Sequence, residues 1–168
     1  MNLHDLAEQA ETGAVARGFD PCTWENMPGK IAFVFTELEE ACCAANAHRF
    51  VMDAVIEELA DIALRTMAIM HGVYGREWQE RSTDLAVDSG LFAPLECSLR
   101  SVTKYLSNAI GYWRDDDKVD AGICLELALA SLIMFAKSIG YDLTISIVRK
   151  LEKNAYRPKL HGHIRTLG

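Results

Sequence analysis

The chain lacks a basic excess: 17 Lys and Arg stand against 24 Asp and Glu, a formal net charge of −7 over 168 residues. A general nucleic-acid surface needs the opposite balance, so no nucleic-acid partner is expected. Prolines number only four, and half the residues are apolar. That composition excludes collagen-like and low-complexity classes and argues against intrinsic disorder. No C-x-x-C spacing occurs among Cys22, Cys42, Cys43, Cys97 and Cys124, which removes zinc-ribbon and thioredoxin-like readings. Reduced, mostly packed thiols are expected instead. Neither H-E-x-x-H nor Glu-x-x-His appears, so zincin and di-iron carboxylate sites are unsupported. The opening Met1-Asn2-Leu3-His4-Asp5 has no apolar core of a signal peptide, and a cytoplasmic location is expected. The longest apolar stretch, residues 121–136, is shorter than a membrane span and contains Glu126. It reads as a buried helix, with no membrane partner.

Helical periodicity recurs along the chain and strand signals are scarce, which predicts a single all-α domain, a helical bundle over residues 1–168. A short helix at about 2–17 precedes a loop at 18–29 carrying Pro21 and Pro28. A helix at about 30–49 follows, with Ile31, Val34, Phe35, Leu38, Ala41, Cys42 and Ala45 as its apolar stripe. The next runs from about 51 or 53 to 74, striped by Met52, Val55, Ile56, Leu59, Ile62, Ala63, Thr66 and Met70. The stretch 75–94 is polar and broken by glycine. Helices are then expected at about 95–113, 118–139 and 143–155, the last stopped by Pro158. The aspartates at 115–117 suit a helix N-terminus rather than calcium, for no glycine sits where an EF-hand needs one.

Two carboxylate pairs stand out. Glu37 and Glu40 are three apart in one expected helix, and Glu58 and Asp61 are three apart in the next. Residues at that spacing share a face, so each pair converges and repels itself unless a proton or cation intervenes. A hard divalent cation such as Mg²⁺ prefers such oxygen ligands. Solvated helix faces carry the same spacing. Phe33 and Ala44 share the first pair's face, however, and Ala54 and Arg65 the second's, as walls of a cleft would. Residues 149–168 hold six Lys or Arg and one Glu (net +5), against eleven cations and 23 acids (net −12) in residues 1–148. Such a tail suits a solvated helix end or contacts to phosphate.

The blocks TELEEA (36–41) and EELADIALR (57–65) lie in order, with 17 residues between Glu40 and Glu58. They resemble the E-x-x-E … E-x-x-D signature of the MazG-like nucleoside triphosphate pyrophosphohydrolases. The ending KLEKNAYRPKLHG (150–162) is similar to that family's C-terminal segment, and the resemblance spans about 30–70 and 120–162. It implies an all-α fold, a homodimer or higher oligomer, and cleavage of a (d)NTP substrate to the monophosphate and pyrophosphate. Residue by residue, it implies Glu37, Glu40, Glu58 and Asp61 as ligands of Mg²⁺ (Mn²⁺ in its place), with Glu40 and Glu58 catalytic. Lys30, Lys150, Lys153, Asn154 and Arg157 become substrate contacts. The chain departs from compact members by a helical insertion at about 75–120, and by Glu126-Leu127-Ala128-Leu129, an echo of the second motif with leucine in place of its acid.

A triphosphate beside four carboxylates is untenable without a cation, which would neutralise both and orient the phosphates. A site carboxylate not fully engaged by the cation would take the proton of the attacking water, Glu40 being one candidate. Trp24 is offered as a stack for the base, with core packing as its alternative. Two other functions stay open: a dUTPase-like enzyme with the same acidic site, and a non-catalytic helical protein that binds nucleotide or partners.

Overall fold

A computed structural model describes residues 2–47, 51–78 and 94–156, and those residues form six helices with no strand. They are α1 (Leu3–Ala16), α2 (Met27–Ala45), α3 (Met52–Tyr74), α4 (Leu95–Arg114), α5 (Lys118–Ser138) and α6 (Leu143–Ala155). The fold is an all-α helical bundle, as the periodicity predicts.

Helix α3 is the hub. It packs against α1, α2, α5 and α6, while α4 lies along α5 and touches α2. Eleven of its residues are buried, among them Val55, Leu59, Ile62, Met67 and Met70. Its apolar stripe is wide because it serves several neighbours.

Helix α2 begins at Met27, inside the loop expected to reach Gly29. Pro28 occupies the first helical turn, where its missing N–H is no loss. The same helix ends at Ala45, short of the expected Arg49, because the Asn46 side chain donates to the Cys42 carbonyl at 2.8 Å. Its buried line is Met27, Ile31, Val34, Leu38 and Ala41, a narrower seam than the expected stripe. Phe35 and Ala45 are half-buried and Cys42 is exposed. The thiols therefore divide: Cys22 and Cys124 are buried, whereas Cys42, Cys43 and Cys97 are exposed, contrary to mostly packed thiols. Burial pushes the Cys22 thiol up to about 12, helped by the charge of Glu11.

The α1–α2 connection is pinned at both ends. Cys22 donates its backbone N–H to Glu11 Oε1 at 2.6 Å, and the Trp24 indole donates to Asp116 Oδ1 at 2.9 Å. Trp113 Nε1 donates in turn to the Trp24 carbonyl at 2.8 Å, and the Lys118 ammonium lies 5.4 Å from the Trp24 ring centre. Trp24 is thus a clasp on the α4–α5 turn. In that turn Asp116 adopts φ 56°, and Asp117 caps α5 by accepting from the Asp120 N–H at 3.0 Å.

Gly72 shows how closely the connection lies on α3. A Cβ there would stand 2.6 Å from Cys22 Cβ and 2.7 Å from the Cys22 carbonyl oxygen. Gly72→Ala is expected to destabilise the protein by roughly 1–3 kcal/mol, the cost of overpacking, despite alanine's better helix propensity. Urea denaturation reads the change; a higher midpoint would mean the connection does not press on α3.

Helix α5 is 21 residues, longer than its apolar run, and is long and apolar enough by composition to cross a membrane. Its burial against α3, α4 and α6 accounts for that character here: Ala121, Leu125, Ala128, Leu132 and Ala136 are inaccessible or nearly so. Gly140, at φ 82°, turns the chain out of α5, and Asp142 caps α6 by accepting from the Thr144 N–H at 2.9 Å.

Candidate metal centre

The short connection between α2 and α3 makes them an antiparallel hairpin, so rising positions on one meet falling positions on the other. Glu37 accordingly faces Arg65, and Glu40 faces Glu58. One carboxylate oxygen from each of Glu37, Glu40 and Glu58 lies within 4.8 Å of the other two. Neighbouring oxygens around an octahedral Mg²⁺ are about 3 Å apart, so the three side chains would have to draw closer to share one ion, and exposed Glu40 is the one with room to move. The donor set, all carboxylate oxygen, is of the kind a hard divalent cation takes.

Asp61, the fourth expected ligand, is engaged elsewhere. Its Oδ2 lies 2.5 Å from Nζ of Lys150, a buried ammonium delivered by α6. Glu37 also has a cation: Arg65 Nε donates to its Oε1 at 2.7 Å, and Arg65 NH2 approaches the same oxygen at 2.5 Å. The Phe33 ring, 5.8 Å from the guanidinium carbon, backs Arg65 from the other side. Phe33 and Arg65 meet beside Glu37, but neither they nor Ala44 and Ala54 line the cleft found among the described residues, so their shared faces are not its walls, and Arg65 takes a part that helix spacing alone does not assign. Its signal was its position four residues after Asp61.

Burial pushes the carboxyls of Glu37 and Glu58 up from the usual glutamate value of 4.5. At Glu37, Arg65 opposes the rise while Asp61 and Glu40 add to it. At Glu58, Lys150 opposes it while Asp61, Glu40 and Glu37 add to it. A raised acid pKa means the folded state binds protons that the unfolded state has released, so its contribution to stability falls as pH climbs above 4.5. In chelator, Glu58→Gln should gain stability relative to wild type as pH rises through that window. Urea midpoints against pH measure this; parallel profiles would contradict it.

The remaining sequence-predicted residues are placed unequally. Lys150 and Asn154 lie one turn apart on α6, and Asn154 Oδ1 is buried with no hydrogen-bond partner among the described residues. Lys153 reaches to 3.9 Å from Glu57, both well exposed. Lys30 instead donates its ammonium to the Asp20 carbonyl, in the α1–α2 connection. Arg157 and Pro158 lie outside the described residues, as does most of 75–94. Glu126 is buried near Tyr74, whose hydroxyl is pushed up to about 12 by burial first and by that carboxylate next. An open cleft of about 430 Å³ lies between α3 and α6, lined in part by Ile56, Glu57, Tyr141, Arg149, Lys150 and Lys153, and none of the four carboxylates lines it. Lys150 thus connects the cleft to Asp61.

No family model, no curated protein and no solved structure matches the chain.

Proposed function

We propose that the chain is a Mg²⁺-dependent nucleoside triphosphate pyrophosphohydrolase that cleaves a (d)NTP to the monophosphate and pyrophosphate. The observation that carries this reading is the convergence of Glu37, Glu40 and Glu58 within 4.8 Å, with Lys150 joining Asp61 to a separate cleft that Lys153 also lines. The order of the two acidic motifs supports it.

Glu37, Glu40 and Glu58 would hold Mg²⁺ (or Mn²⁺), with Asp61 available once Lys150 turns to substrate. The ion, when bound, supplies charge neutralisation and Lewis acidity toward the phosphates. Glu40 is the most accessible carboxylate of the cluster and is assigned to accept a proton from the attacking water. Lys150 and Lys153, on the cleft wall, steady phosphoryl oxygens, and Asn154 and Arg157 are the further substrate contacts that the resemblance implies. Lys30 would serve only after leaving the Asp20 carbonyl.

The proposed enzyme is a cytoplasmic homodimer or higher oligomer acting on free nucleotides, without nucleic-acid or membrane partners. Sedimentation at micromolar concentration should give at least a dimer; a fully active monomer would contradict that part. A second reading has its own observation: Glu37 and Asp61 are each already ion-paired, as in a structural charge network. Incubation with a panel of canonical and modified (d)NTPs separates the two. Pyrophosphate should appear with Mg²⁺ and vanish with chelator; none with any nucleotide favours the structural network.

A further inference from the structure

Four carboxylates on two neighbouring helices would drive those helices apart if nothing offset them. Two side chains do so from within the protein. Arg65, from α3, places both Nε and NH2 on Oε1 of Glu37. Lys150, from α6, is 6% exposed and places Nζ on Oδ2 of Asp61. Glu40 and Glu58 make no ion pair among the described residues. With all four acids ionised, the cluster carries four negative and two positive charges, a residue of −2.

We infer that Arg65 and Lys150 are resident counter-cations that hold the carboxylate cluster assembled without metal, leaving a charge that one divalent cation neutralises. The count of one ion rests on the metal-binding reading above; the assembled cluster rests on the ion pairs alone. Neutralising Glu37 and Asp61 in this way assigns unequal parts to the four acids. Glu40 and Glu58 attract the ion, and Glu37, the third member of the convergent group, completes its surroundings.

The consequence is a pair of effects with opposite signs. Removing either counter-cation should loosen the metal-free protein, because a carboxylate loses its partner. The same change makes the cluster more negative and should strengthen its hold on a divalent cation. A purely structural side chain would give the first effect and not the second, since a loosened site binds less well.

The test uses the full chain with Mn²⁺ as probe and no nucleotide, comparing wild type with Lys150→Met, Arg65→Met and Lys150→Arg. Wild type should bind one Mn²⁺ per chain by titration calorimetry. Lys150→Met and Arg65→Met should melt lower in chelator yet bind Mn²⁺ roughly tenfold tighter or more, as loss of a nearby like charge implies. Lys150→Arg should keep both properties. Arg100→Met, which removes an exposed pair with Glu96, should change neither. Unchanged or weaker Mn²⁺ binding in both Met variants overturns the inference, as does wild type taking two ions. If Lys150→Met does not fold, Arg65→Met decides alone, for Arg65 is 42% exposed at its side chain. Wild type that binds no Mn²⁺ refutes the metal centre itself. In that case the melts in chelator still judge the counter-cations: no loss in either variant overturns them.

Discussion

Glu58→Gln and Glu40→Gln are each expected to cut pyrophosphate release by roughly 10²–10³-fold, the usual loss when a group that stabilises developing charge is removed. The amide is nearly isosteric and keeps the helices intact, so circular dichroism should not change. The charge that attracts a hard cation is lost, and glutamine oxygen is a poorer ligand. Glu40→Gln has the further cost of removing the accessible carboxylate proposed to accept a proton. Neither residue bears an ion pair among the described residues, so neither substitution strands a buried cation. That separates them from Glu37→Gln and Asp61→Asn, which would leave Arg65 and Lys150 without partners. Wild-type rates in both Gln variants would show the carboxylates to be structural.

Lys150→Ala is expected to cost roughly 3 kcal/mol of stability, near the lower end for breaking a buried ion pair by removing one partner. Asp61 is left largely enclosed, at 18% side-chain exposure, with the like charges of Glu37, Glu40 and Glu58 nearby. For a chain of this size, that loss lowers the melting temperature by about 6–12 °C. Lys153→Ala removes a long, exposed contact to Glu57 and should cost under about 1 kcal/mol. Differential scanning calorimetry in chelator compares them directly. Equal melting temperatures for the two variants would mean that Lys150 does not hold Asp61 in solution.

The difference between those two lysines marks where reading the sequence stops. Their basic segment and its helical spacing are visible in the chain, and α6 forms where the pattern places it. That Lys150 is buried against Asp61, some ninety positions earlier, depends on how α6 crosses α3, which no local period encodes. The hairpin of α2 and α3 is legible because both stripes are strong, and it brings Glu37 and Glu40 to Glu58, a meeting across helices that i, i+3 spacing alone does not imply. The fourth acid is diverted by a long-range ion pair. Arg65 was visible on the right face, but its bond to Glu37 required the hairpin register. Helix ends were missed where one side chain decides them: Asn46 closes α2 early, and Pro28 opens it instead of prolonging the loop. Trp24 was the least legible, since its partners, Trp113 at the end of α4 and Asp116 in the α4–α5 turn, lie some ninety positions further along the chain.

Product analysis of a single reaction tests the central claim most directly. Wild-type protein is incubated with a (d)NTP and Mg²⁺, the nucleotides are separated by anion-exchange chromatography, and pyrophosphate and phosphate are assayed in parallel. The expected result is equimolar monophosphate and pyrophosphate, abolished by chelator and by Glu58→Gln. No turnover across the nucleotide panel, or a diphosphate with free phosphate, would contradict it.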